Sequence, residues 1–168
     1  MAHKIEMVKT EEQIELTATL AKEIWTEHYT PIIGIEQVKY MLTNMQSATA
    51  ITNHISNNYQ YYLAYYNNQP SGYFAIIENR KENSITLSKI YVSHKSRNTG
   101  TGCEIMNFTK EKALTNNASK ISLTVNKHNH NSINWYKKRG FKITEDIIND
   151  IGNGFYMDDY ILELTIAK

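Results

Sequence analysis

Residues 90–102 read Ile90-Tyr91-Val92-Ser93-His94-Lys95-Ser96-Arg97-Asn98-Thr99-Gly100-Thr101-Gly102, and this stretch decides the fold. Its apolar start is typical of a strand, and the apolar spacing over residues 102–117 predicts a helix soon after it. Glycine between the two elements lets the backbone turn sharply and approach a ligand closely. Because the first amides of a helix lack intrahelical partners and the helix dipole favours negative charge, the stretch predicts a phosphate-binding loop.

Two common nucleotide-binding loops are excluded by the same residues. Cys103 stands where a nucleotide-triphosphate P-loop needs lysine, and the Gly-x-Gly-x-x-Gly spacing of a dinucleotide site is absent. A pair of glycines is also common in ordinary turns. The loop by itself therefore predicts a phosphate site without naming the ligand.

Outside this loop, the chain alternates between helical and strand-like spacing. Thr10, with Gln13 at the capping-box position, starts a helix. Pro31 is expected to end that helix near Tyr29, because proline disfavours helix at the residue before it. The predicted helices are 10–29, 35–54, 102–117 and 132–139, and the predicted strands are 5–8, 59–66, 73–78, 85–92, 121–125, 141–143 and 156–166. A run of antiparallel strands followed by strand–helix alternation predicts a mixed α/β domain.

Composition limits the class of protein. The 168 residues suit one domain with its own core, and a net charge of +1 gives no global argument for binding nucleic acid or a membrane. The lone cysteine suits a reducing compartment, and no run approaches the roughly 20 apolar residues of a membrane span. Residues 1–8 lack the apolar core of a signal peptide, so we expect a cytoplasmic protein. His94, His128 and His130 have no cysteine partner at metal-ligand spacing, so no metal is predicted.

Two motifs, in order, resemble those of the GNAT superfamily of N-acetyltransferases. Arg-x-x-Gly-x-Gly after the strand ending Ile90-Tyr91-Val92 is similar to the family's acetyl-CoA loop. The second motif is similar to the family's Asn-x-x-(Ala/Ser)-Ile-x-x-Tyr-x-x-x-Gly-Phe and reads Asn129-His130-Asn131-Ser132-Ile133-Asn134-Trp135-Tyr136-Lys137-Lys138-Arg139-Gly140-Phe141. The resemblance covers almost the whole chain. Relatives often have glycine in place of Asn98, a basic residue in place of Thr99 and glutamate in place of Thr86.

The resemblance implies a fold and a co-substrate. The implied fold is a single α/β (mixed α+β) GNAT domain over residues 1–168, with a mostly antiparallel twisted sheet of about seven strands flanked by about four helices. The implied co-substrate is acetyl-CoA, its pantetheine arm along residues 90–92 and its pyrophosphate in the loop. Asn129 is expected to reach one of these groups, to cap the helix that follows, or both. The cofactor-binding residues implied are Ile90, Tyr91, Val92, Arg97, Asn98, Thr99, Gly100, Thr101, Gly102, Asn129, Ser132 and Tyr136.

The resemblance also implies direct attack of an amine on the thioester in a ternary complex. Cys103 is therefore expected to be a small buried residue rather than a nucleophile. Tyr136 is the candidate general acid for the leaving thiolate; packing of the helix against the sheet is its alternative role. Glu27 is the tentative base, and Glu78, Asp158 and Asp159 are the other carboxylates considered for that role. The candidate acceptor-binding residues are Glu27, His28, Tyr29, Asp158, Asp159 and Tyr160.

The acceptor is left open by the sequence. The carboxylates among the candidate residues favour a small cationic amine such as a polyamine, and the alternatives are a protein or peptide N-terminus or a lysine. Absence of the strand glutamate leaves a second hypothesis, a non-catalytic acyl-CoA-binding sensor or interaction module. The sequence predicts no nucleic-acid or membrane partner. It allows a homodimer in which the last strand pairs between subunits, and it does not indicate whether acyl groups longer than acetyl are used.

Overall fold

The computed structural model describes residues 2–166, which form seven strands and five α-helices. The strands are β1 (His3–Met7), β2 (Gln60–Tyr66), β3 (Gln69–Asn79), β4 (Ser84–Val92), β5 (Lys120–Asn126), β6 (Lys142–Gly152) and β7 (Phe155–Thr165). The helices are α1 (Glu11–Ile33), α2 (Ile35–Met45), α3 (Ala48–Ser56), α4 (Thr101–Thr115) and α5 (His130–Lys138). Met1, Ala167 and Lys168 lie outside the described residues, and the domain span 1–168 stays a prediction.

The strands form one sheet in the order β1-β2-β3-β4-β5-β7-β6. β1 with β2, β2 with β3, β5 with β7 and β6 with β7 are antiparallel. β4 and β5 run parallel, with Ser84–Thr86 opposite Lys120–Ser122. The predicted α/β class and the mostly antiparallel sheet of seven strands are therefore confirmed, with five helices where about four were expected.

The described residues group into two compact units, each built from two segments. The first comprises residues 2–77 and 89–109, and the second comprises residues 78–88 and 110–166. The core of the first unit includes Leu63, Tyr73, Phe74 and Ile51. The core of the second includes Ile121, Leu123, Leu162 and Phe141. Both cores have the residue types that burial of apolar surface favours.

Two helix boundaries in the first unit differ from prediction. The capping box of Thr10 and Gln13 is confirmed, but α1 continues through Pro31 and ends at Gly34. A proline three residues from a helix end removes one backbone donor, and little helix remains to be disrupted. The predicted helix over residues 35–54 is two helices, because Oγ of Ser47 accepts a bond of 3.1 Å from the Ala50 amide and caps α3.

The edge strand β6 is the element that differs most from the sequence-based prediction. Residues 141–143 were predicted as a short strand, yet β6 spans Lys142–Gly152 and pairs along its length with β7. Most of its residues are exposed, so the apolar–polar alternation of a half-buried strand is missing. Among the described residues, no helix has the length and apolar character needed to span a membrane.

Candidate active site

The predicted phosphate loop has the backbone that its sequence requires. A 3-10 turn over His94–Ser96 leads into it, and α4 begins at Thr101. Asn98 has φ of 67° and Gly100 has φ of 90°. Asparagine tolerates this left-handed region, as expected for the departure at residue 98. At Gly100 an added Cβ atom would lie 3.5 Å from Nε2 of His3, so conformation rather than space demands glycine.

Side chains from β1 and β3 hold this loop in place. The His3 Nε2 atom lies 3.0 Å from the carbonyl oxygen of Thr99. The hydroxyls of Thr99 and Thr101 are 2.9 Å apart, and Thr101 donates to the Ser71 hydroxyl at 3.4 Å. Thr101 and Ser71 are buried. The start of α4 is thus fixed before any anion reaches its amides. Sequence reasoning missed His3, which no motif contains.

Arg97, the first residue of the loop motif, is positioned by two histidine rings. Its Nη1 lies 3.4 Å from Nδ1 of His94 and its Nη2 lies 3.3 Å from Nδ1 of His28. Because a guanidinium only donates, both histidines accept through Nδ1 in this arrangement. His28 belongs to α1 and was predicted to bind the acceptor; here it contacts Arg97 of the loop before α4.

β3 approaches β4 very closely beside the residues predicted to pair with the pantetheine. The Ser93 amide donates to the Ser71 carbonyl at 2.9 Å. A Cβ atom on Gly72 would lie 2.5 Å from the Tyr91 carbonyl oxygen and 3.3 Å from Cα of Val92. Glycine at residue 72 therefore sets the backbone position of Tyr91 and Val92.

An aromatic cluster covers the Tyr91 side chain. The Tyr91 ring lies 5.1 Å from Trp25, 5.2 Å from Tyr73 and 6.1 Å from Tyr29 between ring centroids. The Trp25 indole donates to the Tyr73 hydroxyl at 3.1 Å, which donates to Oε1 of Gln46 at 2.9 Å. Burial raises the pKa of Tyr73 well above its usual value, so this hydroxyl stays a donor. Sequence reasoning missed Gln46, a buried residue at the end of α2.

In the second unit, Tyr136 is a packed residue of α5. Its side chain is 6% exposed, and its ring lies 5.4 Å from Trp135 and 5.6 Å from Phe141. Asn129 is buried at the N-cap position, and within the described residues its side chain makes no capping bond to α5. Asn129 is therefore placed like a cap without acting as one. Ser132 lies in the first turn of the same helix.

The two neighbouring carboxylates of β7 have different surroundings. Asp158 lies 2.8 Å from Nζ of Lys127, and Asp146 pairs with the same ammonium. Successive residues of a strand point to opposite faces, so Asp158 and Asp159 do not share a face. Asp159 is 3% exposed, and among the described residues its carboxylate makes no hydrogen bond or ion pair. Burial, reinforced by the charge of Asp158, raises the pKa of Asp159 to about 6.

The other candidates for a base are exposed or already paired. Glu27 is exposed on α1. Glu78 lies 3.6 Å from Nζ of Lys112 and 3.7 Å from Arg80. Thr86 accepts a bond of 2.8 Å from the Asn79 amide, and a threonine hydroxyl cannot replace the glutamate of relatives as a base.

Cys103 corrects an expectation, because its side chain is exposed on α4 rather than buried. Ile105 and Met106 fill the buried positions that follow it. The buried positions of α4 around Cys103 are 101, 105 and 106, and residue 103 lies outside the stripe that they form on the helix. Among residues 2–166, no group of three or more metal-ligating side chains comes together.

The fold is a mixed α/β fold with a glycine-containing loop at the start of a helix, and comparisons with known proteins agree with this class. The family model described as an acetyltransferase (GNAT) domain matches residues 29–159. This match spans more than half of the chain, which therefore belongs to the GNAT acetyltransferase family.

Solved structures share this fold at low sequence identity. The PaiA N-acetyltransferase of Thermoplasma acidophilum, in complex with coenzyme A, superposes with a TM-score of 0.79 at 20% identity, covering 98% of this chain and 99% of that one. The ribosomal-protein-S18-alanine N-acetyltransferase of Escherichia coli gives a TM-score of 0.70 at 16% identity, covering 99% and 96%. A GNAT family acetyltransferase of Elizabethkingia anophelis with acetyl-CoA bound gives 0.56 at 21% identity, covering 68% and 81%.

Proposed function

We propose that this protein transfers the acetyl group of acetyl-CoA directly to an amine, which makes it an acetyl-CoA-dependent N-acetyltransferase. The observation that carries the proposal is the loop before α4, where Asn98 and Gly100 adopt left-handed backbone and Thr99 and Thr101 anchor the helix start. Such a start presents unpartnered amides and a positive dipole end to a pyrophosphate. Membership of the GNAT family and the coenzyme A named for two structural neighbours support the same ligand.

The residues present suit this co-substrate. The pyrophosphate is assigned to the amides from Gly100 to Gly102, with Arg97 adding a positive charge that His28 and His94 orient. The pantetheine is assigned to the backbone of residues 90–92, in the manner of an added strand. Asn129 and Ser132 on α5 are assigned further polar contacts. The Val92 amide is the proposed donor to the developing oxyanion.

Tyr136 is the proposed general acid. The leaving thiolate needs a proton, and a phenol of reference pKa about 10 can supply it to a thiol of about 8.5 with help from the site. The rings of Trp135 and Phe141 restrict the Tyr136 ring, so packing and acid catalysis are compatible roles. A restrained ring loses little freedom in the transition state.

Asp159 is the proposed base, in preference to Glu27. An attacking alkylamine has a pKa near 10.4 and must lose a proton before or during attack. The pKa of Asp159 is about 6, so at neutral pH the carboxylate is ionised yet more basic than an ordinary aspartate. Glu27, in contrast, is exposed on α1. The charge of Asp158 contributes to the raised pKa of Asp159. Asp158 itself forms an ion pair with Lys127.

A thiol-release assay with acetyl-CoA and a panel of amines tests the proposal. The panel contains polyamines, amino acids, aminoglycosides and peptides with unmodified N-termini. Release of coenzyme A that depends on one class of amine is the expected result, together with mass-spectrometric detection of the acetylated product. Tight acetyl-CoA binding with no turnover of any class would favour the acyl-CoA sensor instead. The cytoplasmic location and the homodimer also stay predictions.

A further inference from the structure

Lys89 is a buried lysine in the middle of β4. It is 8% exposed, among the least exposed charged residues of the described chain. Alternation along the strand places it on the same face as the buried Leu87 and as Tyr91, whose ring contacts Trp25 and Tyr73. Lys89 thus belongs to the face of the first unit that carries the aromatic cluster, three residues before Val92.

Among the described residues, no acidic side chain contributes to the lowered pKa of Lys89. The pKa of His54 is lowered by burial and, to a smaller extent, by the charge of Lys89. Nδ1 of His54 lies 2.8 Å from the Tyr61 hydroxyl, and the Tyr59 ring stacks on His54 at 4.6 Å. Within residues 2–166 no hydrogen bond or ion pair reaches the Lys89 ammonium. Burial alone lowers the pKa of Lys89, to about 8.

A buried ammonium without a counter-charge costs free energy that a methionine of similar size would avoid. Structural roles for buried lysines usually come with an acidic partner, and Lys89 has none among the described residues. The missing counter-charge is explained if a bound molecule supplies it. That molecule would lie beside the strand segment to which the acetyl-bearing arm is assigned.

We propose that Lys89 binds an anionic group of the acceptor, so that the acceptor is an amine that also carries a carboxylate or a phosphate. This inference rests on the proposed function and names the class of its second substrate. At about 3.3 Å per residue, Lys89 and Val92 are separated by roughly 10 Å along β4. The span suits a small molecule whose anionic end meets Lys89 while its amine reaches the thioester. A polyamine has no anionic group that could bind the Lys89 ammonium.

Matched pairs of acceptors test the inference by turnover. The pairs are ornithine with putrescine, lysine with cadaverine, and phosphoethanolamine with ethanolamine, so that the first two probe a carboxylate and the third a phosphate. We expect kcat/KM to be about 10- to 100-fold higher for the anionic member of one kind of pair, as for a charge-assisted hydrogen bond. Lys89→Met should remove this preference, chiefly through KM, and Lys89→Arg should keep most of it. Lys81→Met, at an exposed lysine, should change nothing.

A direct titration decides the matter even if no amine is turned over. N-acetylglycine, N-acetyl-O-phosphoethanolamine and uncharged N-methylacetamide are titrated into the protein with coenzyme A present, by calorimetry. Saturable binding of one anionic probe, lost in Lys89→Met and absent for N-methylacetamide, is the expected result. Equal binding to both proteins, or binding of neither anion to the wild type, overturns the role of Lys89. Absence of turnover with intact anion binding would instead contradict the proposed function alone.

Discussion

A Cβ atom on Gly72 would lie 2.5 Å from the Tyr91 carbonyl oxygen, a distance that real Cβ atoms do not show. The atom in the way is backbone, so it cannot rotate aside as a flexible side chain would. β3 and β4 are therefore held together at the point where the proposed pantetheine-binding segment begins. A single small residue in one strand sets the position of the backbone in the next.

Gly72→Ala should therefore weaken acetyl-CoA binding by displacing Tyr91 and Val92. We expect the dissociation constant to rise by about tenfold, and the protein to lose about 1–3 kcal/mol of stability through overpacking. Calorimetric titration and urea unfolding measure the two effects. Gly154→Asn, in the turn before β7 where an added Cβ meets nothing within 4 Å, is the matched control. Unchanged affinity in Gly72→Ala would show that this backbone does not hold the pantetheine.

Gly100→Val should abolish acetyl-CoA binding while the protein remains folded. With φ of 90°, residue 100 is in a conformation that β-branched residues avoid, so the turn must rearrange. The amides at the start of α4 would then no longer converge on the pyrophosphate. Binding is measured by calorimetry and folding by circular dichroism. Wild-type affinity would place the pyrophosphate elsewhere.

Tyr136→Phe should lower kcat by about 10²-fold or more and leave the acetyl-CoA dissociation constant nearly unchanged. The ring would keep its contacts with Trp135 and Phe141, and only the hydroxyl is lost. Single-turnover kinetics separate the chemical step from product release. Trp135→Phe, on the same helix, serves as a packing control. Full turnover by Tyr136→Phe at saturating substrates would restrict this residue to a packing role.

Asp159→Asn should lower turnover and raise stability at neutral pH. Because its folded pKa of about 6 is above the unfolded value near 3.9, the folded protein binds more protons between these values. This contribution to stability is present below about pH 4 and is lost as the pH rises through 6, at a cost of about 1–2 kcal/mol after allowing for solvent screening. Urea unfolding at pH 4 and pH 7 measures the difference between variant and wild type.

The same variant tests the role of Asp159 in catalysis. The wild-type kcat/KM should rise with pH through about 6, and Asp159→Asn should remove that step. Glu27→Gln, at an exposed position of α1, is the control with the same change of charge. If kcat/KM still falls at low pH in Asp159→Asn, or no longer falls at low pH in Glu27→Gln, Asp159 is not the base.

Lys89→Met should stabilise the protein at neutral pH. The pKa of Lys89 is about 8 in the folded protein and about 10.5 when unfolded, so between these values the unfolded chain binds more protons. Stability therefore increases as the pH rises from 8 to 10.5, and the ammonium costs about 3 kcal/mol below pH 8. The gain in Lys89→Met over wild type should shrink across this range in unfolding experiments. A gain that does not vary with pH would mean that burial does not lower the pKa of Lys89.

Local patterns in the sequence determined the fold class, the turn before α4 and the helix start at Thr10. Each depends on residues that are neighbours in the chain: Arg97 to Gly102 for the loop, Thr10 and Gln13 for the capping box, and Asn129 to Phe141 for the second motif. Backbone preferences and hydrogen bonds over a few residues act before any tertiary contact forms, so they can be inferred from sequence.

Only the tertiary structure decided burial and partnership. It showed that, among the described residues, Lys127 pairs with Asp158 while Asp159 and Lys89 are buried without an ion pair, and that Gly72 lies against Tyr91. It also showed that Cys103 is exposed and that β6 is longer than predicted. β6 forms by pairing with β7, and its own sequence lacks the apolar–polar alternation of a strand. The pKa of a carboxylate or an ammonium depends on what surrounds it in space. Residues distant in the chain supply those surroundings, and the identity of the residue alone cannot predict them.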